Sequence, residues 1–127
     1  MDKNAAGWFE IPANDLDRAQ KFYEEVLGLK LSKLDLGPLQ MARFPSVSDG
    51  AGSPGTLICM KEHYTPSPDG VLIYLNSPSG DAANELGRVE KAGGRLLRPK
   101  TQISEEFGYY GLLLDTEGNR IAIHSPG

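Results

Sequence analysis

Few residues in this chain pair reactive chemistry with a strand-like position, and the two leading candidates, Glu10 and His124, lie near its two ends. His124 closes the alternating run Arg120-Ile121-Ala122-Ile123-His124. An imidazole there can serve as acid, base or hydrogen-bond anchor near neutral pH. Glu10 lies in Trp8-Phe9-Glu10-Ile11-Pro12. On an inward strand position its carboxylate must meet Arg43, His124, a tyrosine hydroxyl or water, because burying it unpaired is costly. Arg43 is a candidate anion fork, but Met41 shares its parity, which leaves its face open. Cys59 is the only cysteine. Without basic neighbours to lower its pKa, it reads as a packed thiol rather than a nucleophile. His63 and Tyr64 stand in a Pro-flanked loop and read as surface or lid residues. No phosphate loop, nucleophile elbow or zinc-protease pattern occurs.

Residues two apart on a strand share a face. If Trp8 faces a cleft, so does Glu10; if Leu72 does, so do Tyr74 and Asn76; if Ala122 does, so does His124. Parity adds Tyr110 and Leu112. Walls of Trp8, Leu72, Tyr74, Tyr110 and Ala122, with Glu10 and His124 as polar groups, have the make-up of a small-molecule pocket.

The elements that must position these residues come from periodicity. One helix is expected from about Asp15 to Leu27, with Leu16, Ala19, Tyr23, Val26 and Leu27 as its apolar stripe, Asn14 or Asp15 as its cap and Gly28 as its stop. A second is expected from about Gly80 to Lys91, with Ala82, Leu86 and Val89 buried, Ser79 as cap and Gly93-Gly94 as stop. The remainder reads as strands: Trp8–Ala13, Leu29–Lys33, Leu39–Phe44, Thr56–Lys61, Val71–Asn76, Arg95–Thr101, Tyr109–Leu114 and Arg120–His124. Asp115-Thr116-Glu117-Gly118-Asn119 suits a tight hairpin between the last two. Pro12 cannot donate to a ladder, so the first strand ends there or lies at an edge.

The order strand, helix, three strands occurs twice. A shift of about 65 residues carries the first copy onto the second. Module 1 spans about 7–61, a Pro-rich linker 62–70, and module 2 about 71–125, within a single domain of 127 residues. A second loop, Pro45–Gly55, is rich in Ser, Gly and Pro. Long loops in compact domains are often functional, so either segment is a candidate lid. The fold class is therefore α+β, two tandem βαβββ modules.

The net charge is −4, with acids and bases interspersed and no basic face of the kind nucleic acid binding needs. No apolar run approaches the ~18 residues that span a membrane, and the N-terminus lacks a signal-peptide pattern. A single cysteine suits a reducing cytosol. These features point to a cytoplasmic protein with neither nucleic acid nor membrane as partner.

The segment Asn14-Asp15-Leu16-Asp17-Arg18-Ala19-Gln20-Lys21-Phe22-Tyr23, followed by Val26-Leu27-Gly28-Leu29, resembles the opening of the vicinal oxygen chelate superfamily, which holds glyoxalase I, bleomycin-resistance proteins and extradiol dioxygenases. Asp115-Thr116-Glu117-Gly118-Asn119-Arg120-Ile121 is similar to its second signature. The resemblance covers about Gly7 to Ser125 and comes nearest to small bacterial lactoylglutathione-lyase-related proteins. It implies that the two modules form a curled mixed sheet with a concave cleft, and a homodimer in which the partner chain sometimes completes that cleft. It also implies where metal-dependent members hold a divalent ion: at Trp8, at Leu72, at Ala122 and, by the repeat, at Ile58. None of these side chains offers a lone pair to a cation. The expectation is thus a metal-independent and cofactor-free protein that binds a largely apolar or aromatic small molecule. The alternative is a glyoxalase-like lyase or isomerase, with Glu10 or His124 as base or with its metal ligands elsewhere.

Overall fold

The computed structural model describes residues 4–48 and 52–127. The expectations placed on the first three residues and on part of the Pro45–Gly55 loop, residues 49–51, lie outside it. The chain runs β1 (Phe9–Pro12), α1 (Leu16–Leu27), β2 (Ser32–Leu36), β3 (Leu39–Arg43), β4 (Gly55–Cys59), β5 (Ile73–Asn76), α2 (Ala82–Leu86), β6 (Arg95–Ser104), β7 (Gly108–Leu114) and β8 (Arg120–Ser125). Two open four-stranded sheets result, ordered β1-β4-β3-β2 and β5-β8-β7-β6. In each, the first strand pairs parallel with the last, and the other pairs are antiparallel. This is the tandem βαβββ, α+β architecture that the repeat implied.

Helix α1 follows its local signals. The Asp15 side chain accepts from the Arg18 amide at 3.0 Å, and Gly28 takes the left-handed conformation that closes the helix. Its buried stripe is Leu16, Ala19, Phe22, Tyr23, Val26 and Leu27. Helix α2 departs from expectation. Regular helix covers only Ala82–Leu86, and Asp81 rather than Ser79 caps it. Beyond Leu86 the bonding tightens: Arg88 donates to Glu85 and Val89 to Leu86, three residues back. Gly87 stands at that change, where its low helix propensity weakens the ladder. Ala82, Leu86 and Val89 are nonetheless buried, so the apolar side was read correctly.

Two strands depart furthest from their expected spans, while β4 ends at Cys59 and β5 begins at Ile73, each two residues short. β2 begins at Ser32 rather than Leu29, because Leu31 packs on the core and its amide donates to Glu24. A two-residue Gly37-Pro38 loop then returns the chain, with Gly37 at positive φ as such a hairpin requires. β6 runs on to Ser104, and its register slips on either side of Pro99, which has no amide to donate. As the outer strand of its sheet it tolerates this.

Each helix covers one face of its own sheet. Ile11, Ala42 and Leu57 lie beneath α1, while Leu75, Leu113 and Ile123 lie on the side of α2, and all belong to one continuous core. Burying each such large side chain contributes about 1.5–3 kcal/mol. The β7–β8 turn then ties module 2 to module 1. Asp115 accepts a 2.6 Å hydrogen bond from Tyr23, and Asn119 donates to the Pro12 carbonyl at 2.8 Å. Glu117 accepts from the amides of Asn14 and Asp15 and from the Arg18 guanidinium. The second signature of the sequence thus caps the helix that carries the first.

Candidate functional site

The face of each sheet opposite its helix is set by alternation. On the first sheet, Glu10, Thr56, Arg43 and Ser32 form one cross-strand row, and Pro12, Ile58, Met41 and Leu34 the next. On the second, the rows are Tyr74, Ala122, Leu112, Arg98 and Asn76, His124, Tyr110, Thr101. Arg43 therefore does share the helix-free face with Glu10. The ladders also correct the internal repeat. Pro12 matches Asn76, 64 positions on, but Ile58 matches His124, 66 positions on. A constant shift cannot absorb that difference in loop length, so the partner of Ala122 in the first module is Thr56 rather than Ile58.

A groove of about 300 Å³ opens at the seam between the modules. Trp8, just before β1, with Glu10 and Pro12 of β1 forms one side, and Val71, Ile73 and Arg120 the other, with Thr65 and Ser67 of the linker at its rim. Trp8 is 45% exposed, leaving much of its indole free to take a ligand. Glu10 is half-buried, and the nearby carboxylate holds the Tyr64 phenol above the usual tyrosine range.

Arg120 is the residue that sequence reasoning passed over. The parity that placed Ala122 and His124 on the helix-free face places it there too. Its Nε is buried and has no hydrogen-bond partner. None of the four ion pairs among the described residues includes it. Leaving such a donor unsatisfied costs about 1–3 kcal/mol.

The other expected site residues lie elsewhere. Leu72 and Tyr74 line a second groove of about 400 Å³ on the other side of the seam, against Phe9, Phe44, Leu27 and Leu29. Tyr110, Ala122 and His124 line neither groove. They cluster on the second sheet, where the Tyr74 and Tyr110 rings are 6.2 Å apart and the Arg98 guanidinium stands 5.9 Å from the Tyr110 ring. Ala122 is fully buried there. His124 Nε2 bonds to the Phe107 carbonyl. A carbonyl only accepts, so Nε2 carries the proton and Nδ1 of the neutral ring is left as an acceptor. One chain thus brings Trp8 and Glu10 together, and separately Tyr74, Tyr110, Ala122 and His124, but it does not join the two sets.

A "Glyoxylase-like domain-containing protein" of Didymella fabae is 30% identical over 115 residues, 90% of this chain and 88% of that protein. The chain belongs to the glyoxylase-like family. Within this family its N-terminal part, residues 7–44, matches the model for the bleomycin resistance protein-like N-terminal region. Solved structures share its fold. TnmS3, an antibiotic-binding protein from a Streptomyces species, superposes with a TM-score of 0.67 at 20% identity, over 100% of this chain and 99% of that one. A glyoxalase/bleomycin resistance protein from Albidiferax ferrireducens gives 0.65 at 18% identity, over 96% and 98%. Glyoxalase I from Zea mays gives 0.66 at 18% identity, with 94% of this chain covering 45% of the maize chain. This glyoxylase-like chain therefore spans less than half the length of that enzyme.

The positions at which the resemblance would put metal ligands do not fit a divalent ion. Trp8, Leu72, Ala122 and Ile58 carry no donor, and the Thr56 hydroxyl that the ladders substitute for Ile58 already bonds the backbone of Ala42 and Leu57. Among the described residues no three His, Cys, Asp or Glu side chains are grouped so that they could hold a metal ion. No helix among them is long and apolar enough to cross a membrane.

Proposed function

We propose that this glyoxylase-like chain binds a small, largely apolar or aromatic molecule without a metal, and that the ligand sits in the seam groove. One observation carries the reading: a half-exposed indole stands beside a carboxylate and a guanidinium in an open space of about 300 Å³, of the order that drug-sized ligands occupy. The antibiotic-binding relative supports it by analogy of fold. A free Cys59 suits a reducing, cytoplasmic location. The test is a panel of aromatic small molecules titrated into chelator-stripped protein, followed by Trp8 emission and thermal stability. A true ligand at a hundred times its dissociation constant stabilises by about 2.7 kcal/mol. Binding that appears only when divalent ions are restored would overturn the metal-independent reading.

One observation favours a second reading, a lyase or isomerase. The Phe107 carbonyl fixes the His124 tautomer and leaves Nδ1 as a base, as a proton-abstracting residue requires. Under that reading His124→Ala and Glu10→Gln abolish turnover while ligand affinity survives. Under the binding reading no turnover is found to lose.

A further inference from the structure

We propose that the seam groove selects a zwitterion, a small molecule whose ammonium and carboxylate flank an aromatic body, as in an aromatic α-amino acid. The inference rests on the reading of that groove as the ligand site and adds what the ligand must carry. Two opposite charges face one small space from different modules: Glu10 on β1 and Arg120 on β8. Neither takes part in any ion pair among the described residues, so they do not neutralise each other. The Arg120 Nε is buried and unpartnered, so solvent does not satisfy it. A guanidinium binds a carboxylate through two parallel N–H donors, and the two terminal nitrogens of Arg120, which take part in no ion pair among the described residues, can supply such a pair to the groove it lines. Glu10 is half-buried, belongs to no ion pair among the described residues and keeps acceptor capacity for an ammonium. Trp8 supplies the face on which an aromatic body packs.

Each charge therefore needs its own counter-charge from the ligand. A cation alone would leave Arg120 unpaired, and an anion alone would leave Glu10 unpaired. The groove should discriminate against both, because the cost of an unpaired buried polar group sets specificity more sharply than the gain from a paired one.

Trp8 is the only tryptophan, so its emission reports on the groove directly. The experiment uses four probes built on one phenylethyl frame: L-phenylalanine, 2-phenylethylamine, 3-phenylpropionate and 2-phenylethanol. They are titrated into the metal-free protein, with excitation where none of them absorbs. Phenylalanine is expected to bind about tenfold or more tighter than any of the other three. Arg120→Met should erase its advantage over phenylethylamine, and Glu10→Gln its advantage over phenylpropionate. Arg120→Lys should retain part of the selectivity, since it keeps the charge but not the fork. Arg120→Met should also melt no lower than the wild type, because no hydrogen bond within the protein is lost. A structural arginine would behave oppositely. Equal binding of all four probes overturns the charge selectivity and leaves the small-molecule reading standing. Tightest binding by phenylethylamine, unchanged by Arg120→Met, also overturns it. Silence of Trp8 with all four probes overturns it too, and the wider panel then decides separately whether the protein binds anything.

Discussion

At the scale of single residues, burial decides which polar groups carry stability. Tyr23 is 1% exposed, and its hydroxyl donates to Asp115 across the two modules. Burial, then the neighbouring Asp115 charge and hydrogen bond, push this phenol well above the usual tyrosine range. Tyr23→Phe leaves the ring in place and removes the donor. Asp115 keeps its bonds from Glu117 and Asn119 but loses one acceptor's partner in a buried setting. The expected cost is about 1–3 kcal/mol, read as a lowered melting temperature with an unchanged fold by circular dichroism. A variant as stable as the wild type would show the bond to be energetically idle. The periodicity of α1 made Tyr23 legible as a core residue, because i, i+3, i+4 spacing is a local property. Its partner Asp115 was not legible, since a contact over 92 positions is fixed only when the modules pack. That Tyr64, read as a surface or lid residue, lies near Glu10, and that Arg120 shares a groove with Glu10, was not legible for the same reason. The sequence shows which face a strand residue occupies but not what the linker or the other module brings to it.

At the scale of elements, the Asp115–Asn119 turn is more than a hairpin connection. Glu117 joins it to the N-terminus of α1, where a carboxylate is favoured by the exposed amides and the helix dipole. Burial alone would raise the Glu117 pKa, but the Arg18 hydrogen bond, the Asp15 amide and Thr116 outweigh it and hold the carboxyl below the ordinary range. A folded-state pKa below the unfolded value contributes stability that is present above about pH 4.3 and is lost as pH falls through the lower folded value. The wild type should therefore lose stability in acid more steeply than Glu117→Gln, and the variant should be the less stable of the two near neutrality. Denaturant melts across that range check this; parallel pH curves for the two proteins would contradict it. Local signals made the hairpin and the α1 cap readable, each within its own element. Their union into one cap was not, and Gly87 similarly shortened α2 although the apolar stripe through Val89 read as continuous helix.

At the scale of the molecule, the duplicated βαβββ order was legible because order and spacing survive where identity does not. The relation between the two copies was not, since nothing local dictates how two sheets sit about their helices. The outcome bears on how the site is completed. The helix-free face of the first sheet exposes Trp8, Leu34 and Leu36 at 45%, 40% and 53%, and that of the second exposes Tyr74 at 49%. These are the side chains that a homodimer of the kind the resemblance implies would cover. Within one chain Trp8 and Glu10 remain apart from Tyr110 and His124. Apposition of the first sheet of one copy with the second sheet of another would cover both faces and bring the two sets of residues to one cleft. A two-fold pair makes that contact twice and closes. Light scattering should accordingly give twice the mass of one chain, with dissociation on dilution. Leu34→Glu and Leu36→Glu should shift the protein to monomer while sparing its melting transition, because neither side chain belongs to the core. Ligand affinity should fall with them if the partner supplies part of the cleft. It should hold if the seam groove of one chain suffices. A protein that runs as a monomer at every concentration, with Leu34→Glu indistinguishable from wild type, would show that the two faces work separately.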